Sequence, residues 1–299
     1  MKTLAKYFLI ASAICFATTS AAQSDTTRDA EELKNAAMEA LITAPPDRAL
    51  PLVNKVLAGN NSNELKQRAL FILSQIDRPE AQEILLRFAR ESSGELQEEA
   101  IRMIGIGGDP DALSALNSIY ESGNSEARNA VLEALMIAGD KKAVFEIALT
   151  ATGHDYEQAV DMLGVMKARE ELRDLRTRNG ASEALIEAYA ISGDYDELRK
   201  MALDGSNPAL QAQAIEAMGI VGGDEVNSTL VQIFRDATTE DIREAALDGM
   251  LISGHDEGVL ELYRTTEDPA LKKELLEMLV IMDSDEVWSI IDSALDGGL

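Results

Sequence analysis

The residue types that most often carry enzyme chemistry are scarce in this 299-residue chain, which has two histidines and one cysteine, Cys15. His154 and His255 are each followed directly by an aspartate, Asp155 and Asp256. This pattern favours a helix-capping turn over a general base held by an orienting carboxylate. The sequence contains no G-x-S-x-G, H-E-x-x-H or Walker motif. We therefore predict no catalytic residue, and the sequence favours a protein that is not an enzyme.

Carboxylates are abundant, and some of them recur in pairs separated by one residue. The pairs are Asp109-x-Asp111, Asp194-x-Asp196 and Asp283-x-Asp285. Calcium needs six to eight oxygen ligands from a closed loop, and two carboxylates at a helix start supply too few. Helix capping and attraction to the positive end of the helix dipole account for the pairs instead. The sequence therefore predicts no metal and no cofactor.

The charge of the chain excludes one broad class of partner. There are 53 acidic and 27 basic residues, which gives a formal net charge of −26, and aromatic residues make up only 4%. Nucleic-acid binding depends on basic surface for the phosphates and often on aromatic residues that stack with bases. We therefore expect no nucleic-acid partner.

The first 22 residues have the pattern of a secretory signal peptide. Lys2 and Lys6 precede an apolar run at 7–17, and Ser20 and Ala22 suit cleavage after Ala22, with Ala21 as an alternative. The run is shorter than the ~20 residues that a membrane-spanning helix needs. We predict a soluble periplasmic or secreted protein without a membrane span. Because Lys2 and Lys6 leave with the signal, the rest of the chain would carry −28, and it would contain no cysteine.

The elements that position all these residues follow from an internal repeat of about 30 residues. An apolar run ends in Gly and an Asp follows at 108–109, 139–140, 193–194 and 223–224, with variants at 254–255 and 282–283. Each unit contains two apolar stretches of helical period separated by a polar break, which predicts two short helices. Such a pair cannot bury its apolar face alone, so the pairs must stack into an all-α solenoid.

The repeat predicts eight two-helix units and a cap at each end, forming one domain over 23–299. The units are 46–77, 78–108, 109–139, 140–166, 167–193, 194–223, 224–254 and 255–283. A capping helix is predicted at 29–43 and a half-repeat cap at 284–299. In the second cap, we expect Trp288, Ile290, Ile291 and Leu295 to cover the last apolar layer.

The two-helix unit, its Gly-Asp boundary and a recurring polar residue early in the second helix resemble HEAT repeats, in the short form found in phycobilisome-lyase-type arrays. The polar residues form a column: Lys66, Gln97, Arg128, Gln211, Arg243 and Lys272. The resemblance implies a right-handed α-α superhelix of the armadillo and HEAT type, in which this column is structural and pairs with acidic turn residues of neighbouring repeats. Units 140–166 and 167–193 are shorter and have Gln158 and Leu185 in the column, which predicts a change of curvature there.

One group of arginines is a candidate binding patch for an anionic partner. Arg169, Arg173 and Arg176 share one face of a predicted first helix. Acidic residues are interleaved with them, and Asp174 and Arg178 have the i, i+4 spacing of a salt bridge, as do Lys167 and Glu171. A solvated, salt-bridged face is therefore the alternative interpretation.

The sequence favours a non-enzymatic scaffold that binds a protein or peptide along the concave face formed by the second helices. The acidic charge would attract a partner with a basic segment, although the charge is equally explained by solubility. We expect a monomer. The alternatives are a structural component of the cell envelope or of an assembly, and an enzyme accessory of lyase type suggested by the resemblance.

Overall fold

The computed structural model describes residues 25–295, and the predicted signal peptide lies outside this range. Every regular element in the described range is an α-helix. The helices are α1 Asp25–Ile42, α2 Pro46–Ala58, α3 Asn63–Ser74, α4 Pro79–Glu91, α5 Glu95–Gly107, α6 Pro110–Ser122, α7 Ser125–Ala138, α8 Lys141–Thr150, α9 His154–Val165, α10 Arg169–Asn179, α11 Glu183–Ser192, α12 Tyr195–Ala202, α13 Pro208–Val221, α14 Asp224–Asp236, α15 Glu240–Ser253, α16 Asp256–Thr265, α17 Pro269–Ile281 and α18 Val287–Leu295. Each of the eight predicted units contains one helix pair, which confirms the predicted all-α solenoid class.

The chain falls into two compact units that divide between Ala69 and Leu70. The N-terminal unit contains α1, α2 and the first half of α3. Its core includes Met38, Val53 and Leu57, which are almost fully buried. The single domain over 23–299 stays a prediction.

The C-terminal unit, from Leu70 onward, contains the helices from α4 to α18. The sequence sets where many of them begin. Proline is the first residue of α4, α6, α13 and α17, where the first backbone amides have no partner within the helix. Side-chain caps accept a backbone hydrogen bond at Asp109, Asn124, Asp140, Ser182, Asn207, Thr239 and Asp268.

Most repeats of the C-terminal unit end in a residue of left-handed backbone conformation, which reverses the chain into the next repeat. Glycine takes this conformation at Gly139, Gly193 and Gly254, as its missing Cβ allows. The shorter unit 140–166 has no glycine at this point, and Lys167 adopts a φ of 52° instead. The Lys167 amide donates to the Gly164 carbonyl at 3.0 Å, and the next amide donates to Leu163 at 2.9 Å. The helix ending is therefore kept although the residue type is unfavourable.

Consecutive second helices pack backbone against backbone at three places. A Cβ placed on Gly219 of α13 would lie 2.3 Å from the carbonyl oxygen of Gly249 in α15. Gly105 approaches Ala134 and Gly164 approaches Ala188 in the same way. At these three points there is no room for a side chain between the two helices. The paired second helices therefore lie side by side, and so do their solvent-facing surfaces.

The prediction for the C-terminal cap is wrong in part. Trp288 and Leu295 were expected to cover the last apolar layer, but they are 57% and 82% exposed. Val287, the first residue of α18, is fully buried in their place. Helical period explains the difference, because the side of α18 that buries Val287 turns the next residue, Trp288, outward.

Candidate functional site

The three arginines of the predicted patch lie on α10, and each contacts α11 or α12 of the same chain. Arg173 donates two hydrogen bonds to the Asp194 carboxylate, at 2.6 and 2.8 Å. Arg176 pairs with Glu197, and Arg169 donates to the carbonyl oxygens of Ser192 and Gly193 at the end of α11. These guanidinium groups therefore join two neighbouring repeats. Binding of an anionic partner by this patch stays a prediction.

The two acceptors of this cluster are buried carboxylates. Asp194 is only 2% exposed, and the sequence placed it as a cap for α12, but its side chain binds Arg173 and does not cap that helix. A bidentate guanidinium is the stronger partner for a buried carboxylate, which explains the difference. Burial alone would raise the pKa of Glu197, but hydrogen bonds from Lys200 and Arg176 outweigh it and hold the pKa below its ordinary value. This cluster on the first helices is electrostatically satisfied.

The polar column predicted from the repeat lies at the start of the second helices. Gln97 and Gln211 each donate 2.9 Å hydrogen bonds to the last turn of the preceding helix, at Ala89 and Ala202. Arg128 donates to Tyr120 of α6 and pairs with Asp155 of the next repeat at 2.8 Å. Arg243 pairs with Glu240, and the Lys272 ammonium lies over the ring of Tyr263. Lys66, the first residue of the column, lies in α3 of the N-terminal unit. The contacts of Gln97, Gln211 and Arg128 hold the two helices of a repeat together.

The two histidines lie at separate helix starts, as the sequence indicates. His154 is the first residue of α9 and His255 directly precedes α16. In the part of the chain that the structure describes, no group of three or more His, Cys, Asp or Glu residues could hold a metal ion. None of the described helices is long and apolar enough to cross a membrane.

An exposed aliphatic side chain lies near the end of each second helix of the C-terminal unit from α5 to α17, so that these side chains form a row. Each lies two residues before a residue of positive φ that follows or closes its second helix, and their exposed fractions run from 36% to 70%. We call these residues the aliphatic row: Ile106, Ile137, Val165, Ile191, Ile220, Ile252 and Ile281. Single exposed aliphatic residues are ordinary, but here one recurs at the same position of seven successive repeats.

A second row runs parallel to the first, one helical turn earlier. Six of its seven positions are acidic, and the first is Arg102. We call these six residues the acidic row: Glu133, Asp161, Glu187, Glu216, Asp248 and Glu277. Residues four apart on a helix share a face, so every repeat from 109 to 283 presents a carboxylate beside an aliphatic side chain. The surface formed by the two rows is called the second-helix face below.

Contacts between repeats show that the second-helix face continues from one helix to the next. Arg102 of α5 lies 3.9 Å from Glu133 of α7. Gln158 of α9 donates to Asn129 of α7 at 3.3 Å, and Gln213 of α13 donates to Glu183 of α11 at 2.7 Å.

The acidic row carries uncompensated negative charge in its central part. Asp161, Glu187, Glu216 and Asp248 form no ion pair with a Lys or Arg within residues 25–295. Burial, together with the charges of Glu187 and Glu157, raises the pKa of Asp161 from 3.8 to about 6, against a smaller opposing effect of His154.

The same pattern recurs further along the second helices. Burial and the charges of Asp248 and Glu244 raise the pKa of Glu216. Burial also raises the pKa of Glu274, and the negative charge of Glu240 in the preceding repeat is the next largest cause. Carboxylates of neighbouring second helices therefore repel each other.

Sequence reasoning missed the second-helix face because it assigned the second-helix apolar runs to the core. A signal was nevertheless present. Two residues before the residue that closes each second helix, which is Gly222 in unit 194–223, the sequence has Ile or Val, and four residues earlier it has Asp or Glu in six of seven repeats. Aligning the second helices on this closing residue, with Lys167 and Asp283 in the place of glycine, makes both rows visible.

Among comparisons with known proteins, a family match agrees with the repeat architecture. The family model "HEAT repeats" matches residues 50–136. Similar solved structures include human deoxyhypusine hydroxylase in complex with glycerol (18% identity, TM-score 0.34, covering 89% of this chain and 92% of that one) and the complex of CpcE and CpcF of phycocyanin lyase from Nostoc sp. PCC7120 (19%, 0.29, 83% and 94%). An engineered protein is also similar (17%, 0.25, 78% and 95%).

At these identities and TM-scores the structural likenesses carry no argument about function. No curated protein matches the sequence. The protein is an all-α solenoid, and its residues 50–136 match HEAT repeats.

Proposed function

We propose that this protein is a non-enzymatic scaffold that binds a protein or peptide along the second-helix face. The aliphatic row is the observation that carries the proposal. Exposed apolar side chains that form a continuous patch with a polar rim mark sites of protein association. Here an exposed aliphatic side chain recurs on seven consecutive repeats, from Ile106 to Ile281, with the acidic row one turn away. An extended partner can contact many repeats at once, as stacked repeats allow.

The experiment places a photo-activatable cross-linking residue at Ile137, Ile191 or Ile252, one site for each variant. Matched control variants carry it at Glu121 or Glu257, which are exposed on the first helices α6 and α16. After irradiation in an extract of the source cells, the three row sites should link to the same partner and the control sites should not. Equal labelling from both sets of sites, or none from the row, would contradict the proposal.

The proposal includes secretion to the periplasm or the medium. It is supported by the basic, apolar and small-residue pattern of residues 1–22. Intact-mass measurement of the protein isolated from the cell envelope fraction should give a chain that begins at Gln23 or Ala22. A cytoplasmic protein that retains residues 1–22 would contradict it.

The second candidate is a structural component of an envelope assembly, and the exposed C-terminal end favours it. Ile281, Trp288 and Leu295 present large apolar side chains to solvent at the end of the last repeats. This end could pack against another protein of the assembly or a second copy of the chain. Sedimentation analysis of the protein and of Trp288→Arg decides this second candidate: concentration-dependent self-association lost in the variant would support it, and a monomer would favour the scaffold. The enzyme accessory of lyase type stays a prediction from the resemblance.

A further inference from the structure

We propose that the segment bound by the second-helix face is cationic and amphipathic, with Lys or Arg side chains beside aliphatic ones, and that its cations lie against α9, α11, α13 and α15. This inference rests on the proposed function. It identifies the chemistry of the partner and the part of the face where its charges bind.

The geometry of the two rows sets the first requirement on the partner. On each of the six second helices that carry the acidic row, the carboxylate lies one turn before the aliphatic side chain, about 6 Å along the helix. Asp161 and Val165, Glu187 and Ile191, and Glu216 and Ile220 are successive examples. A partner that covers the aliphatic row therefore places its adjoining side chains against carboxylates. Acidic or apolar side chains there would leave those carboxylates without a partner as water is removed.

The charge distribution sets the second requirement. At one end of the face, Arg102 reverses the sign of the row and contacts Glu133. At the other end, Lys273 pairs with Glu277 at 3.6 Å. Between these ends lie Asp161, Glu187, Glu216 and Asp248, on four consecutive repeats. The negative potential is therefore strongest over α9 to α15, which is where a cationic segment gains most.

The mutual repulsion of these carboxylates supports the same conclusion. Asp161 and Glu187 belong to adjacent second helices, as do Glu216 and Asp248, and each pair raises the pKa of one member. A bound cation would interact favourably with both members of a pair and would remove the repulsion. The free protein thus holds charges that a cationic partner would stabilise.

The experiment measures fluorescence anisotropy of three synthetic peptides of equal length with the full chain. One peptide alternates Lys and Leu, the second Glu and Leu, and the third Lys and Ser. The Lys–Leu peptide should bind at least about tenfold more tightly than either of the others, and its affinity should fall as salt is added. Equal binding of the Glu–Leu peptide would overturn the assigned charge, and equal binding of the Lys–Ser peptide would overturn the aliphatic contribution.

Matched variants locate the binding. The double variant Glu187→Gln, Glu216→Gln should weaken Lys–Leu binding about tenfold or more, and Ile191→Ser should weaken it to a lesser extent. Glu121→Gln, Glu257→Gln is the control, since it makes the same change of charge on the first helices, and it should bind within about twofold of the unmodified chain. Equal losses in both double variants would overturn the assignment to the second-helix face.

Loss of folding does not imitate this result. Neutralising Glu187 and Glu216 removes like-charge repulsion, so the row variant should be at least as stable as the unmodified chain, as circular dichroism and denaturation would show. Failure of the two proposals is also distinguishable. If the cross-links form at the aliphatic row but the Lys–Leu peptide does not bind, only the present inference fails. If the cross-links do not form at the row, the proposed function itself fails.

Discussion

Carboxylates on the first and second helices of the C-terminal unit have opposite surroundings. On the first helices, Asp194 and Glu197 are buried against Arg173 and Arg176, and hydrogen bonds hold the pKa of Glu197 low. On the second helices, the central acidic row lies beside other carboxylates, and the pKa of Asp161 is raised to about 6. The chain therefore compensates acidic charge where it joins two repeats and leaves it uncompensated on the face that we assign to binding.

The difference shows how a chain with 53 acidic residues organises its few cations. A buried carboxylate without a partner is strongly destabilising, so the guanidinium groups near Asp194 and Glu197 stabilise the folded chain. A partly exposed carboxylate loses less, because water still solvates it. Retaining such repulsion on the second-helix face lowers stability modestly, as is common at binding sites.

The largest effect is expected from separating the second helices. Gly219→Val should lower the free energy of unfolding by more than about 3 kcal/mol, because its Cβ would lie 2.3 Å from the Gly249 carbonyl and the backbones must move apart. The pKa of Glu216 should then return toward its ordinary value as Asp248 recedes. Chemical denaturation and NMR titration measure the two effects. Gly205→Ala is the control, with its nearest neighbour atom at 3.9 Å, and it should be nearly neutral.

The next largest effect concerns the compensated side of the comparison. Asp194→Ala removes the acceptor of Arg173 and should lower the free energy of unfolding by about 2 kcal/mol, less than for a fully buried pair because Arg173 is partly exposed. Asp196→Ala, at an exposed position two residues later in α12, should change it by less than about 0.5 kcal/mol. Denaturation curves of the two variants test this, and equal effects would show that the Arg173 pair contributes nothing particular.

Removing charge from the acidic row should have the opposite sign. Because the pKa of Asp161 is raised in the folded protein, its contribution to stability is present at low pH and is lost as the pH rises through about 6. Asp161→Asn should therefore be more stable than the unmodified chain at pH 7.5, by about 1 kcal/mol after allowance for solvent exposure. Near pH 4 the two should be almost equal. A variant that is less stable at pH 7.5 would contradict the repulsion.

The smallest effect is expected from an exposed ion pair on the first helices. Arg178 and Asp174 of α10 are 3.0 Å apart and both are exposed. Such pairs contribute little, because water screens them and both side chains lose freedom. Arg178→Ala should leave the thermal unfolding midpoint unchanged within error. A clear decrease would mean that compensation on the first helices extends beyond the buried cluster.

Much of the fold is predictable from local sequence patterns. Pro110 and Asp109 mark the start of α6, and Gly139 marks the end of α7, because capping and left-handed turns depend on residues that are close in sequence. The role of Arg173 is less predictable, since Asp194 lies 21 residues away and could equally have capped its own helix. The same limit applies to Trp288, whose exposure depends on which side of α18 packs against the preceding repeats.

The sequence alone determined the helix pairs, their number and their acidic charge, because periodicity and capping act within a few residues. Only the tertiary structure decided which charges meet. The close approach of Gly219 and Gly249 brings second helices together, and with them Glu216 and Asp248. The tertiary structure also showed that the aliphatic row faces solvent. Burial and charge interaction depend on distances between repeats, and one-dimensional patterns do not contain those distances.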